Sequence, residues 1–328
     1  MSLDGTPWAL ALAGVPFLRG NLHTHTTNSD GRLSPQETID WFAANGYDLL
    51  ALTDHNRVTD PAALDARGLT LLTASEVSAT GGELGGTYHL VTLGLSPTVA
   101  LPPVTSSVGD SIRALTETGA VVFVAHPHWS GLTVRDLLVA QAAGASGIEI
   151  YNGGTVLDSR KGEALTYWDE LLERCAGTES SAPLGIAVDD THWHTLDRGL
   201  GWVMVRSGDS SPAGLLDALR AGQFYASSGP ELRDVRVVEN AEGLHVEVET
   251  SPVAAIYALG YGSRNQFAFD KEAAARSETG ATITQARFTL RPTAAGAFLR
   301  IQATDWLMRS AWSNPLYLSR ERADPGPG

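Results

Sequence analysis

From Gly20 to about Phe224 the chain alternates short apolar runs with longer helix-like stretches. Gly20–His25, Leu49–Thr53, Leu69–Val77, His89–Leu93, Val121–Ala125, Gly147–Tyr151, Leu184–Val188 and Trp202–Val205 predict strands. Several are apolar along their whole length, the pattern of strands buried on both faces. Ser34–Asn45, Gly109–Thr118, Thr133–Ala142, Lys161–Arg174 and Pro212–Ala221 predict the helices between them. Ser34-Pro35-Gln36-Glu37 is a strong helix start, with serine at the cap, proline in the first turn and glutamate placed to reach back. Gly46 offers a stop. Strands of this kind separated by helices predict an α/β fold on a parallel sheet, with enough strands to close as a barrel.

After Ser227-Ser228-Gly229-Pro230 the pattern changes to short, often alternating strands, the sign of a small antiparallel β domain. The expected organisation is an N-terminal extension over 1–18, a barrel over 19–229, a sandwich-like β domain over 230–320 and a disordered tail over 321–328. A chain of 328 residues accommodates two such domains. No apolar run reaches the roughly 18 residues of a membrane span. Trp8–Leu18 is apolar but short and has no preceding basic residue, which makes a poor signal peptide. With the single Cys175, a disulfide framework is ruled out and a cytoplasmic location is expected, although a removed leader stays open. The net charge of −14 argues against a nucleic-acid duplex as partner. It is compatible with a small phosphorylated substrate, since bound cations invert the field locally.

The nine histidines carry the chemistry. Six form three His-x-His pairs, His23/His25, His126/His128 and His192/His194. Random placement would give about a quarter of one pair. Each pair falls at or just past the end of a predicted strand, the rim where barrel enzymes place their sites. Residues at i and i+2 of a strand point the same way. Carboxylates stand at similar places: Asp30, Asp54, Glu76, Glu149 and Asp189-Asp190. Imidazole and carboxylate without cysteine suit Zn²⁺, Mn²⁺ or Fe²⁺ in an open site.

In order, His23/His25/Asp30, Asp54-His55, Glu76, His89, His126-Pro127 and Asp190-Thr191-His192 resemble the motif series of the PHP family, named for its polymerase and histidinol-phosphatase members. The resemblance covers about residues 19–229. It implies a distorted seven-stranded β/α barrel holding two or three divalent ions. It places His23, His25, Glu76 and Asp190 on the first ion and Asp30, His55 and His192 on the second. His89 and His126 fall to the third, with Glu76 bridging back to the first. The chain also resembles a subgroup described as similar to carbaryl hydrolases.

The implied chemistry is hydrolysis of a small phosphate mono- or diester by a metal-bridging hydroxide. Carbamate or carboxylic ester hydrolysis on the same ions is the alternative, and a non-enzymatic accessory module the third reading. Asp54 is expected to orient a ligand or take a proton from the nucleophile. His128 and His194 either supply an acid or pack at the mouth beside Trp129 and Trp193. Arg160 and Lys161 either pair with a substrate anion or begin a solvated helix. Glu149 and Asp189 are expected behind the ligands, Gly81–Gly86 as a turn or flap, and His245 on a strand surface. Cations converging on the pocket would favour the phosphoester; tryptophan without a cation would favour the carbamate.

Overall fold

The computed structural model describes residues 14–176, 182–240, 243–260, 265–276, 278–290 and 297–318. The expected tail over 321–328, and most of the expected N-terminal extension, lie outside the described residues. Among the described residues no helix is long and apolar enough to cross a membrane.

The first part of the chain holds strands β1 (Leu18–Asn21), β2 (Leu49–Leu52), β3 (Thr70–Ala79), β4 (Tyr88–Leu93), β5 (Val121–Val124), β6 (Gly147–Asn152), β7 (Leu184–Val188), β8 (Trp202–Val205) and β9 (Phe224–Ser227). Helices α1 (Pro35–Ala44), α2 (Val108–Glu117), α3 (Val134–Ala142), α4 (Gly153–Ser159), α5 (Leu165–Cys175) and α6 (Pro212–Arg220) connect them. Ser34, Ser107, Thr133 and Ser211 each cap a helix by accepting a backbone N–H. Ser34/Glu37 and Thr133/Asp136 close full capping boxes. Helix α4 was not among the sequence expectations. Its two opening glycines disguise it, and Asn152 caps it by accepting from Thr155 N–H.

The strands join in the order β9-β8-β1-β2-β3-β4-β5-β6-β7. Strands β1, β2 and β3 are mutually parallel, as are β5, β6 and β7. The all-parallel expectation fails at β4, which runs antiparallel to both β3 and β5. No helix lies between β3 and β4, and without a crossover two neighbouring strands can pair only as a hairpin. Strand β8 is also antiparallel, to β1 and to β9. The run curls, so that β7 packs beside β8 and β9. Leu49, Ala51, Leu72, Val91, Phe123 and Ile186 fill the concave side. Val122, Val124, Ile148 and Ile150 face outward onto the apolar sides of α2, α3 and α5, with Trp168 at the centre of that layer.

The remaining strands are β10 (Leu232–Asn240), β11 (Gly243–Val253), β12 (Ala255–Gly260), β13 (Gln266–Ala268), β14 (Ile283–Leu290), β15 (Ala297–Thr304), β16 (Ser310–Ser313) and β17 (Leu316–Leu318), with a short helix α7 (Lys271–Ala275). Strands β10, β11 and β14 form a separate three-stranded antiparallel sheet. Strands β12, β13, β15, β16 and β17 continue the large sheet, because β16 pairs with β9. Val235, Val246, Val248 and Phe288 of the small sheet pack on Ile256, Ala258, Ile301 and Ala303 of the large one. Arg300 of β15 reaches across to α5 and donates two hydrogen bonds, 2.6 and 2.7 Å, to the Asp169 carboxylate. His245 is buried rather than on a strand surface, its Nδ1 3.4 Å from Thr289 Oγ1.

Candidate metal centre

The chain past β1 stays extended because its neighbours bond it on both sides. Asp190 N–H donates to the His23 carbonyl and His25 N–H to the Thr191 carbonyl, each at 3.0 Å. On the other side Thr53 N–H donates to the Thr24 carbonyl at 2.8 Å, and Glu76 N–H to the Thr53 carbonyl at 3.0 Å. Held in this way, His23 and His25 alternate to one side with Leu22 and Thr24 turned away. The Asn21 side chain accepts His23 N–H and donates to Asp189, so the strand end is fixed by its own sequence.

Four ligand atoms converge. His23 Nε2, His25 Nε2, Glu76 Oε2 and Asp190 Oδ1 lie 3.0–3.3 Å apart in the five pairs that include an imidazole. A tetrahedral ion with bonds of about 2.0–2.1 Å has ligand edges of about 3.3 Å. Glu76 Oε2 and Asp190 Oδ1 are also buried oxygens with no hydrogen-bond partner. An orphaned carboxylate oxygen in the interior is costly, and two aimed at one point call for a cation. The donor set therefore fits a divalent ion of the zinc, manganese or iron type.

Two further groupings share these residues. Asp30 approaches His25, His55 and His192 with N···O separations of 3.5–3.7 Å. Glu76 Oε1 lies 2.9 Å from His89 Nδ1 and 3.1 Å from His126 Nε2, and its Oε2 lies 3.0 Å from His55 Nδ1. Glu76 thus touches five imidazoles and is the hub of the site. His89 gets there through the antiparallel turn of β4: it stands at the beginning of its strand, and only a reversed strand brings a beginning to the rim where the others end.

Imidazoles and carboxylates here hold one another in their charged forms. Burial pulls the His23 imidazole down, but Asp190, Glu76 and Glu149 outweigh it and hold it well above its ordinary range. Burial likewise lowers His25, and the adjacent carboxylates of Asp190 and Glu76 carry it up to about 9. Burial opposes the ionised Glu76 and Asp190, yet the surrounding imidazoles hold both carboxyls well below the usual range. Two ligands also carry strained backbones, with φ of +25° at His126 and +53° at Asp190. Positive φ is uncommon for residues other than glycine.

Behind the ligands stand carboxylates with clear positioning roles. Glu149 accepts from His23 Nδ1 at 2.6 Å, His126 N–H at 2.7 Å and the Asn152 amide at 2.8 Å. Such a carboxylate sets the tautomer and orientation of a ligating imidazole. Asp189 accepts backbone N–H groups from Gly199, Leu200 and Gly201, which ties the following loop, and burial raises its carboxyl to about 6. Asp54 is fully buried and accepts from Thr26, Ser29 and Thr59, organising the loop that carries Asp30.

The clusters open into a cavity of about 340 Å³. His194 lines it, its Nε2 3.0 Å from the Asp30 carbonyl. His128 is not brought there: its Nδ1 faces the Glu163 carbonyl at 3.3 Å and its ring meets Tyr167. Arg160 and Lys161 are exposed and do not line the cavity; Arg160 closes α4 with a left-handed backbone, φ +61°. Trp129 lines the cavity, while Trp193 and Trp202 pack with the aromatic cluster around Phe42 and Tyr47. Gly154, Thr155 and Asp158 also line it, and sequence reasoning missed them because α4 itself was missed. Asn152, which bonds both Glu149 and Asp190, was overlooked for want of any motif.

The site is an α/β scaffold with a converging imidazole–carboxylate cluster that could hold metal. No family model matches the chain. Over 81 residues it is 44% identical to a 3',5'-nucleoside bisphosphate phosphatase of Chromobacterium violaceum, covering 24% of this chain and 28% of that one. Over 105 residues it is 38% identical to a 5'-3' exoribonuclease of Haemophilus influenzae, covering 31% and 36%. The chain thus spans only about a third of the length of these curated relatives. Its fold is that of a two-domain protein from Bacteroides vulgatus described as containing a predicted PHP-like metal-dependent phosphoesterase. The two match over 94% of this chain and 96% of that one, with TM-score 0.51 and 17% identity. The description of that two-domain neighbour names the family that the motifs resemble.

Proposed function

We propose that this chain is a metal-dependent phosphoesterase acting on a small phosphate mono- or diester. The curled sheet is read as the distorted seven-stranded barrel of the PHP family, over 19–229, with 230–320 as its β domain. The observation that carries the reading is the convergence of His23, His25, Glu76 and Asp190 with two orphaned buried oxygens among them. The bisphosphate phosphatase and exoribonuclease relatives both act on phosphate esters by name, which supports the substrate class. His23, His25, Glu76 and Asp190 would hold one ion, Asp30, His55 and His192 a second, and His89 and His126 with Glu76 a third. The ions supply a water of lowered pKa and neutralise charge at phosphorus.

The chain's own groups do the rest. Glu149, 2.6 Å from His23 Nδ1, would hold the proton on that nitrogen and leave Nε2 free to ligate. Asp54 acts as a positioning residue through the loop of Asp30. His194, at the cavity wall, is the imidazole placed to give a proton to a leaving alkoxide. Hydrolysis of carbamates or carboxylic esters is the second reading, favoured by one observation: no lysine or arginine is among the described residues lining the cavity.

The purified protein is expected to carry two or more transition-metal ions per chain by elemental analysis. Mn²⁺ or Zn²⁺ should stimulate hydrolysis, and H23A or D190A should abolish it. A metal-free preparation with no metal-stimulated turnover would sink both enzyme readings. Parallel assay of phosphate esters and aryl carbamates decides between them.

A further inference from the structure

Half of the cavity-lining residues lie outside the candidate ligand clusters, and the largest of these is Trp129. Its side chain is 43% exposed. The indole meets the His126 ring at a centroid distance of 5.0 Å, nearly perpendicular at 77°, and His89 at 6.3 Å. It therefore stands beside the imidazoles of the centre with much of its surface in water. A tryptophan normally buries its large apolar area, so one left open on a cavity wall has surface available for a ligand.

The turn that carries it is held firmly. Ser130 N–H donates to the His126 carbonyl, Gly131 N–H to the His128 carbonyl and Leu132 N–H to the Pro127 carbonyl, at 3.0–3.2 Å. Gly86 packs so closely that a Cβ there would lie 2.5 Å from the Ser130 carbonyl oxygen. The indole is thus preorganised, and stacking on it costs little ordering entropy. The charge of the same wall is equally selective. Asp158 lines the cavity, and no lysine or arginine does so among the described residues. A second phosphate reaching that wall, away from the candidate ion positions, would meet the Asp158 carboxylate with no lysine or arginine among the described lining residues to offset it.

We infer that Trp129 is a specificity-determining residue whose indole stacks an aromatic leaving group, and that the cavity takes esters with one phosphoryl group and no second anion. This rests on the phosphoesterase reading for the reacting group and adds the chemistry of the rest of the substrate. It also separates this chain from the bisphosphate substrate in its relative's name.

The test uses the Mn²⁺-loaded full chain. Binding of phenylphosphonate and methylphosphonate, followed by calorimetry and tryptophan fluorescence, compares two ligands that differ only in the ring. Phenylphosphonate is expected to bind about tenfold tighter, the usual size of one aromatic stack. W129A should bring the ratio to within about twofold, and W129F should keep part of it. Hydrolysis of a nucleoside 5'-monophosphate should exceed that of the 3',5'-bisphosphate, and D158R should shift that ratio toward the bisphosphate. Equal phosphonate binding, no binding of either, an unchanged ratio in W129A or a wild-type preference for the bisphosphate would each overturn the inference. If the phosphonate ratio holds but aryl carbamates are cleaved and phosphate esters are not, the phosphoesterase reading falls while the aromatic subsite stands.

Discussion

Glu149 shows what one residue does from behind the candidate ligands. Its carboxylate holds the far nitrogen of His23, the backbone of His126 and the amide of Asn152. Glu149→Ala is therefore expected to weaken metal binding by about 10–100-fold with every ligand still in place, measured by chelator competition. Unchanged affinity would refute the positioning role. The imidazoles make a second prediction for the metal-free protein. His25 is raised from its ordinary 6.5 to about 9 by Asp190 and Glu76, against burial. A raised pKa gives stability that is fully present below about 6.5 and lost as pH rises through about 9. After chelation, Tm should fall over that interval, while the loaded protein, whose ligands are already deprotonated, should not follow it. Parallel curves for the two forms would count against it. The candidate ligand types were legible at this scale because imidazole and carboxylate types recur at strand ends. The strain at His126 and Asp190 was not, since no residue type announces a positive φ other than glycine.

At the scale of elements, strand ends and helix starts position the centre. Sequence expectations place α1, α2, α3 and α6 within a residue or two of their observed bounds, since serine, threonine and proline mark the starts. Helix α4 escaped because Gly153 and Gly154 look like a loop. The reason for glycine is the close approach of the neighbouring loop: a Cβ on Gly154 would lie 2.8 Å from the Asp190 carbonyl oxygen and 3.0 Å from that of Asp189. Gly154→Ala must push the Asp190 segment, so turnover is expected to fall about 10–100-fold with the fold retained by circular dichroism. Full activity in that variant would show that the segment yields without consequence. Strand β4 makes the complementary point. Its composition was readable as a strand, but its direction was set by the missing crossover, and direction is what delivers His89 to the rim.

At the scale of the whole molecule, the C-terminal strands are bonded into the same sheet that carries the metal centre. The β16–β9 pairing, the Arg300–Asp169 pair and the stacking of Tyr151 on Trp312 join them. Arg300 is almost fully buried while Asp169 is partly solvated, so Arg300→Leu strands a charge that water can still reach. A loss of about 2 kcal/mol is expected, below the full cost of breaking a wholly buried pair. Urea unfolding checks it, and an unchanged midpoint would remove the pair from the account of how the parts are held together.

The order and chemistry of the metal-type ligands, the alternation of strands and helices and the change to β strands after Gly229 are properties of the chain itself, because local pattern and residue type suffice for them. Which histidines meet is a property of the folded molecule. His23, His25, His55, His89, His126 and His192 converge because curled and reversed strands bring distant ends to one rim. His128, Arg160 and Lys161 satisfied the same local criteria and lie elsewhere, because adjacency along a chain says little about which way a turn aims its side chains.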